Sequence, residues 1–187
     1  MKKYLSHFYS ILFIIAVFFN VSGAAISAES AAAQKTVIDY YLQLPDRYFQ
    51  CETENMLKQK DKLSLIKNKN LKKGYIQAST LDGGIPIEIF LFTDDYMGIK
   101  VLAVNLRCGS GCMCRKLDFF FISEGKLMKN EGGFLFPKIE DIEKAAGVSD
   151  GYEFILPDDG SGIKVSDEQS GKILLNIEWS GGTFNLK

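Results

Sequence analysis

Alternating apolar and polar positions organise much of this chain. From Val101 to Leu106 the side chains of Leu102, Val104 and Leu106 share one face, and Leu117, Phe119 and Phe121 alternate in the same way beyond a Gly-rich turn. Phe120 and Ile122 fill the other face of the second run, which predicts a strand covered on both sides. Together the runs predict a central β-hairpin. Its tip, Cys108-Gly-Ser-Gly-Cys112-Met-Cys114, carries three of the chain's four cysteines.

Similar patterns extend on either side. Thr36 fits a helix N-cap with Asp39 three residues on, and Val37, Tyr40, Tyr41 and Leu44 follow at helical spacing until Pro45. Asp46-Arg47 with Tyr48 and Phe49 predicts a short turn, and residues 53–60 a short surface helix. The lysine-rich run 67–73 reads as a solvated loop. Strands are expected over 74–80 and 85–93, joined by Asp82-Gly-Gly84. A short return strand should start at Leu127-Met128. Residues 138–146 predict an amphipathic helix ended by Gly147, acting as a crossover. The pattern then resumes through Tyr152, Phe154 and Leu156, through Ile163 and Val165, and through Ile173, Leu175, Ile177 and Trp179 to a last strand with Phe184 and Leu186. The resulting expectation is an α+β fold: an N-terminal helix or helices packed on an antiparallel meander of about seven strands.

The first residues change the picture of where this domain works. Met1-Lys2-Lys3, an apolar run centred on residues 11–19, and small residues at 22–28 are the three parts of a bacterial-type signal peptide. The expected organisation is a signal over 1–28, a flexible lead-in over 29–35 and a single domain over 36–187. Removal of 1–28 takes Lys2, Lys3 and the only histidine, His7, and leaves 20 basic against 23 acidic residues, a formal charge of −3. That balance offers no field for nucleic acid. No stable membrane insertion is expected after cleavage, and the location expected is periplasmic or secreted. Loss of His7 removes Ser-His-Asp and Cys-His nucleophile systems from the mature protein, together with His-based metal centres.

An oxidising compartment gives the cysteines a meaning. Structural disulfides are the expectation for Cys51, Cys108, Cys112 and Cys114. A bond between Cys112 and Cys114 would be strained, which leaves 51–112 with 108–114, or 51–114 with 108–112. Either pairing ties Cys51 to the hairpin tip, and closing a loop of about 60 residues is worth roughly 4 kcal/mol in the chain-entropy model. The alternative is a soft-metal site for copper or zinc, with Cys108, Cys112, Cys114 and the Met113 thioether as ligands. Its C-x3-C-x-C spacing differs from the paired knuckles of structural zinc. A redox role is weaker still, because there is no C-x-x-C.

Other chemistry is thin. The acidic turns at Asp94-Asp95, Asp158-Asp159 and Asp167-Glu168 have the composition that turns require, and Asp158-Asp-Gly-Ser-Gly162 lacks EF-hand spacing. Trp179, Tyr152 and Phe184 are candidate ligand-binding aromatics on the C-terminal strands, although aromatics on strands more often build core. No cofactor is expected. The functional expectation is an exported, non-enzymatic binding or interaction protein, stapled by disulfides, with an unidentified protein or small-molecule partner. Periplasmic handling of copper or zinc is the alternative.

Overall fold

The structure, a computed structural model, describes residues 35–50, 56–81, 84–107, 116–131 and 133–187. The expected signal segment, the four cysteines and Met113 lie outside these residues, as does most of the Asp82-Gly-Gly84 turn.

Among the described residues the fold is mainly antiparallel sheet with few helices. Six strands form one sheet in sequence order: β1 (Ile66–Asn70), β2 (Tyr75–Ser79), β3 (Pro86–Asp94), β4 (Ile99–Leu106), β5 (Lys116–Ser123) and β6 (Lys126–Lys129). Four more form a second sheet, ordered β10 (Thr183–Leu186), β9 (Ile173–Ser180), β8 (Ile163–Asp167) and β7 (Tyr152–Ile155). The helices are short: α1 (Val37–Tyr41), a 3₁₀ turn at Asp46–Tyr48, α2 (Gln59–Ser64) and α3 (Ile139–Ala146).

A single meander of about seven strands is therefore corrected to ten strands in two sheets among the described residues. The reason lies in the side chains of β3, β4 and β5. These strands are apolar on both faces, so each face needs its own cover. On one face Ile76, Ile87, Ile89, Leu102, Val104, Leu106 and Phe120 share a core with Val37, Tyr40, Tyr41, Leu44, Tyr48 and Phe49. On the other, Phe90, Phe92, Val101, Ala103 and Phe119 share a core with Val165, Leu175, Ile177 and Phe184 of the second sheet. Within 37–49 α1 has only five residues and the 3₁₀ turn three, so short single turns joined by irregular chain, and not the expected helical layer, meet the first face.

Side-chain hydrogen bonds fasten that irregular segment. Lys62 is 6 % exposed, yet its Nζ lies 2.9 Å from Asp46 Oδ1 and donates to the Leu44 carbonyl at 2.6 Å. The Tyr41 hydroxyl donates to the Lys62 carbonyl, and Tyr48 to Asp118. Buried donors and charges without partners would each cost several kcal/mol. Here every one of these is answered.

The lysine run expected as a loop at 67–73 is in part the edge strand β1, paired in register with β2 through Asn68↔Gln77, Lys69↔Ile76 and Asn70↔Tyr75. Exposed lysines on an edge strand discourage a further chain from pairing there. The surface helix expected over 53–60 lies later, at 59–64. At the end of α3 Gly147 has φ +72, and the Val148 N–H returns to the Glu143 carbonyl at 3.0 Å. That is the left-handed C-terminal cap its sequence predicts. The helix carries the chain from β6 to β7 with Ile142 fully buried, and so passes it from one sheet to the other.

Candidate functional site

Polar residues break the alternation of two apolar strands at one point. Glu88 occupies the parity of Phe90 and Phe92 on β3, and Asn105 that of Val101 and Ala103 on β4. They face each other across the register, and each is only 3 % exposed. Arg107 follows one step beyond Asn105 on the same side.

The three side chains form a clamp onto the second sheet. Glu88 Oε1 accepts from Arg107 Nη2 at 2.8 Å, and Oε2 accepts from Asn105 Nδ2 at 2.9 Å and from the Leu156 N–H at 3.2 Å. Asn105 Nδ2 also reaches the Phe154 carbonyl at 2.6 Å. A buried carboxylate is tolerated only when so answered. Arg107 Nε lies 3.8 Å from Glu153 Oε2, close enough for attraction and too long for a hydrogen bond.

Beside this clamp a cleft of about 440 Å³ opens between the β4 end, α3 and β7. Pro86, Ile139 and Phe154 give it apolar wall. Ile139 is 45 % exposed although it opens the helix's apolar stripe, so the wall is open to solvent. The charged groups are Arg107 against Glu143, Asp150, Glu153 and Glu168. Tyr152 joins them, with its hydroxyl donating to Glu143 Oε1 at 3.3 Å. Among the described residues no group of three or more His, Cys, Asp or Glu is placed to hold a metal ion.

On the same face of the sheet, burial pushes the Tyr75 hydroxyl up to about 12, with the charges of Glu88 and Asp158 adding to the effect. A smaller depression of about 350 Å³ lies on the other side of Ile139, lined in part by Phe119, Asn130, Phe136 and Lys138.

The three aromatic candidates fall in different places. Phe184 is 4 % exposed and packs edge-on to Phe92, 4.9 Å between centroids, and against Phe119 and Phe136. Trp179 is half-buried at the rim of that cluster, 4.9 Å from Phe184, and its Nε1–H donates to the Thr93 carbonyl at 3.2 Å. Tyr152, 9 % exposed, is the one that lines the cleft. All three belong to one aromatic-rich core: Trp179 touches Phe184 directly, and Tyr152 reaches it through Phe154 and Phe136, at the end that borders the cleft. Cys51, Cys108, Cys112, Cys114 and Met113 lie outside the described residues.

Sequence pattern alone did not single out Glu88, Asn105, Arg107, Glu143 or Glu153. The signal that would have found the first two is the interruption of an otherwise apolar strand face.

Fold and cleft define a two-sheet antiparallel β protein with an amphipathic pocket where the end of one sheet meets a crossover helix. The chain matches no family model, no curated protein and no solved structure. Among the described residues no helix is long and apolar enough to cross a membrane.

Proposed function

We propose that this protein is an exported, non-enzymatic binding protein that holds a small ligand in the cleft between α3, β4 and β7. The observation that carries this reading is the division of labour at the cleft. Glu88, the buried carboxylate beside the cleft, is consumed by three donors that hold the sheets together, while apolar wall and other carboxylates line the cleft itself. A volume of about 440 Å³ falls within the range of small-molecule sites. Export is supported by the three-part pattern of the first 28 residues.

The site is tested by amide-resolved NMR with a fragment set. Hits should shift the amides of Ile139, Tyr152 and Phe154 together, and hits that scatter over the surface would remove the cleft from consideration. Intact-mass measurement on exported protein tests the compartment: the expected start lies between Ala25 and Glu29, and a membrane-retained chain keeping residues 1–24 would contradict it.

In this compartment Cys51, Cys108, Cys112 and Cys114 would pair as two disulfides. Thiol titration of oxidised protein should then find no free thiol. Stoichiometric copper or zinc on reduced Cys108, Cys112 and Cys114 would reverse that assignment.

A further inference from the structure

We infer that the cleft selects a small organic amine, an ammonium group carried on an apolar body. This rests on the cleft being a ligand site and names the class of ligand it takes.

Charge decides the sign of the ligand. Among the described residues Arg107 is the one cationic side chain in the lining, which also holds four carboxylates. Its charge is already engaged by Glu88 at 2.8 Å and attracted by Glu153 at 3.8 Å. An anion entering the cleft would have to share Arg107 with Glu88 and Glu153 and approach the carboxylates of Glu143 and Asp150 as well, so like charge opposes it. An ammonium group instead meets Asp150 together with Glu143 and Glu153, whose contacts to Tyr152 at 3.3 Å and to Arg107 at 3.8 Å are long and leave their charge open to a cation.

Shape decides the rest. Among the described residues no three carboxylates come together as a metal site would require, so a bare ion gains little from them. Ile139, Pro86 and Phe154 present apolar wall that only a ligand with a hydrocarbon part can cover. Cleft volume limits that ligand to a small molecule. Apolar body against the wall and cation toward the acids is the one arrangement that uses both surfaces.

The test uses the mature protein and three probes of one chain length: hexylamine, hexanol and hexanoate, followed by amide NMR. Hexylamine should shift the Ile139, Tyr152 and Phe154 amides and bind about tenfold more tightly than hexanol, the equivalent of roughly 1.4 kcal/mol. Hexanoate should bind most weakly, and added salt should erode the preference for the amine. The double variant Glu143→Gln, Asp150→Asn should bring hexylamine down to the level of hexanol while hexanol binding persists.

Equal binding of all three probes at the cleft would overturn the amine assignment and leave the cleft as a site. Preference for hexanoate would overturn it more directly. Silence of the cleft amides toward every probe would overturn the cleft reading itself and the amine assignment with it.

Discussion

Replacing Glu88 by glutamine probes the point on which both sheets depend. The substitution keeps the shape and one carbonyl oxygen, and exchanges the other oxygen for an NH₂ group. Whichever way the amide turns, a donor then meets a donor: either Arg107 Nη2, or Asn105 Nδ2 together with the Leu156 N–H. Hydrogen bonds to a charged group contribute about 1.5–3 kcal/mol, and an unanswered buried donor costs a further 1–3 kcal/mol. Arg107 is 32 % exposed and has Glu153 nearby, so its share is softened by solvent and by a substitute partner. The expected loss is about 3 kcal/mol, near the figure for breaking a buried pair. For a domain of this size that lowers Tm by about 10 °C. Urea unfolding followed by far-UV circular dichroism measures it. Glu178→Gln, which removes the exposed pairing with Lys187, should cost less than about 1 kcal/mol and serves as the control. A Glu88→Gln loss no larger than that control would refute the clamp, and so would an Arg107→Met, Glu88→Gln double variant whose losses simply add.

Three further outcomes follow from other parts of the molecule. Gly162 has φ +129 and an added Cβ would collide with the Ile177 carbonyl oxygen, so Gly162→Ala should cost about 3 kcal/mol or more in the same unfolding assay; a change within about 0.5 kcal/mol would show that the strand can yield. The Lys62 ammonium hydrogen-bonded to Asp46, aided by the Leu57 N–H, holds the Asp46 carboxyl below its ordinary 3.8. A depressed carboxyl stabilises the fold above 3.8 and loses that stabilisation as pH falls through the lowered value, so Asp46→Asn should flatten the acid limb of a midpoint-against-pH curve, and an unchanged limb would count against the pair. Trp179→Ala should cost about 2–3 kcal/mol, below the 3–5 of a fully buried aromatic, because the ring is half-exposed; Trp179→Phe should recover most of it, and no loss in the alanine variant would return Trp179 to the status of a ligand platform.

Much of the sheet was legible because its signal is local. Alternation in Leu102, Val104 and Leu106, and in Phe119 to Ile122, marks strand and face at once, and the apolar filling of both faces of β5 foretold cover on both sides. Glycine at 147 marked the end of α3 for an equally local reason. Division into two sheets was not legible, because whether β7 joins β6 or starts anew depends on long-range pairing that no turn residue encodes. Strand β1 was hidden by its own edge position, where lysines that discourage aggregation look the same as lysines of a loop. Phe184, a ligand-binding candidate by sequence, is buried, as aromatics on strands more often are, and the cleft was not legible. It is assembled from β3, β4, α3 and β7, whose residues lie far apart along the chain, and only the intrusion of Glu88 and Asn105 into apolar strand faces gave a trace of it.

Clamp and cleft are one arrangement seen from two sides. Three doubly apolar strands demand a second sheet, and the second sheet needs a fixed register against the first. Glu88 and Asn105 supply it by bonding to the Leu156 N–H and the Phe154 carbonyl. Fixing β7 there holds Tyr152 and Glu153 at the end of β4, opposite α3, and so shapes the cleft. The same bonds turn Arg107 inward, which leaves the open mouth to carboxylates. Stability and ligand preference are therefore coupled at Glu88 and Arg107 and separable at Asp150, which is exposed and takes no part in the clamp. A change at Asp150 should alter which probe binds and leave unfolding untouched, while a change at Glu88 should move both together.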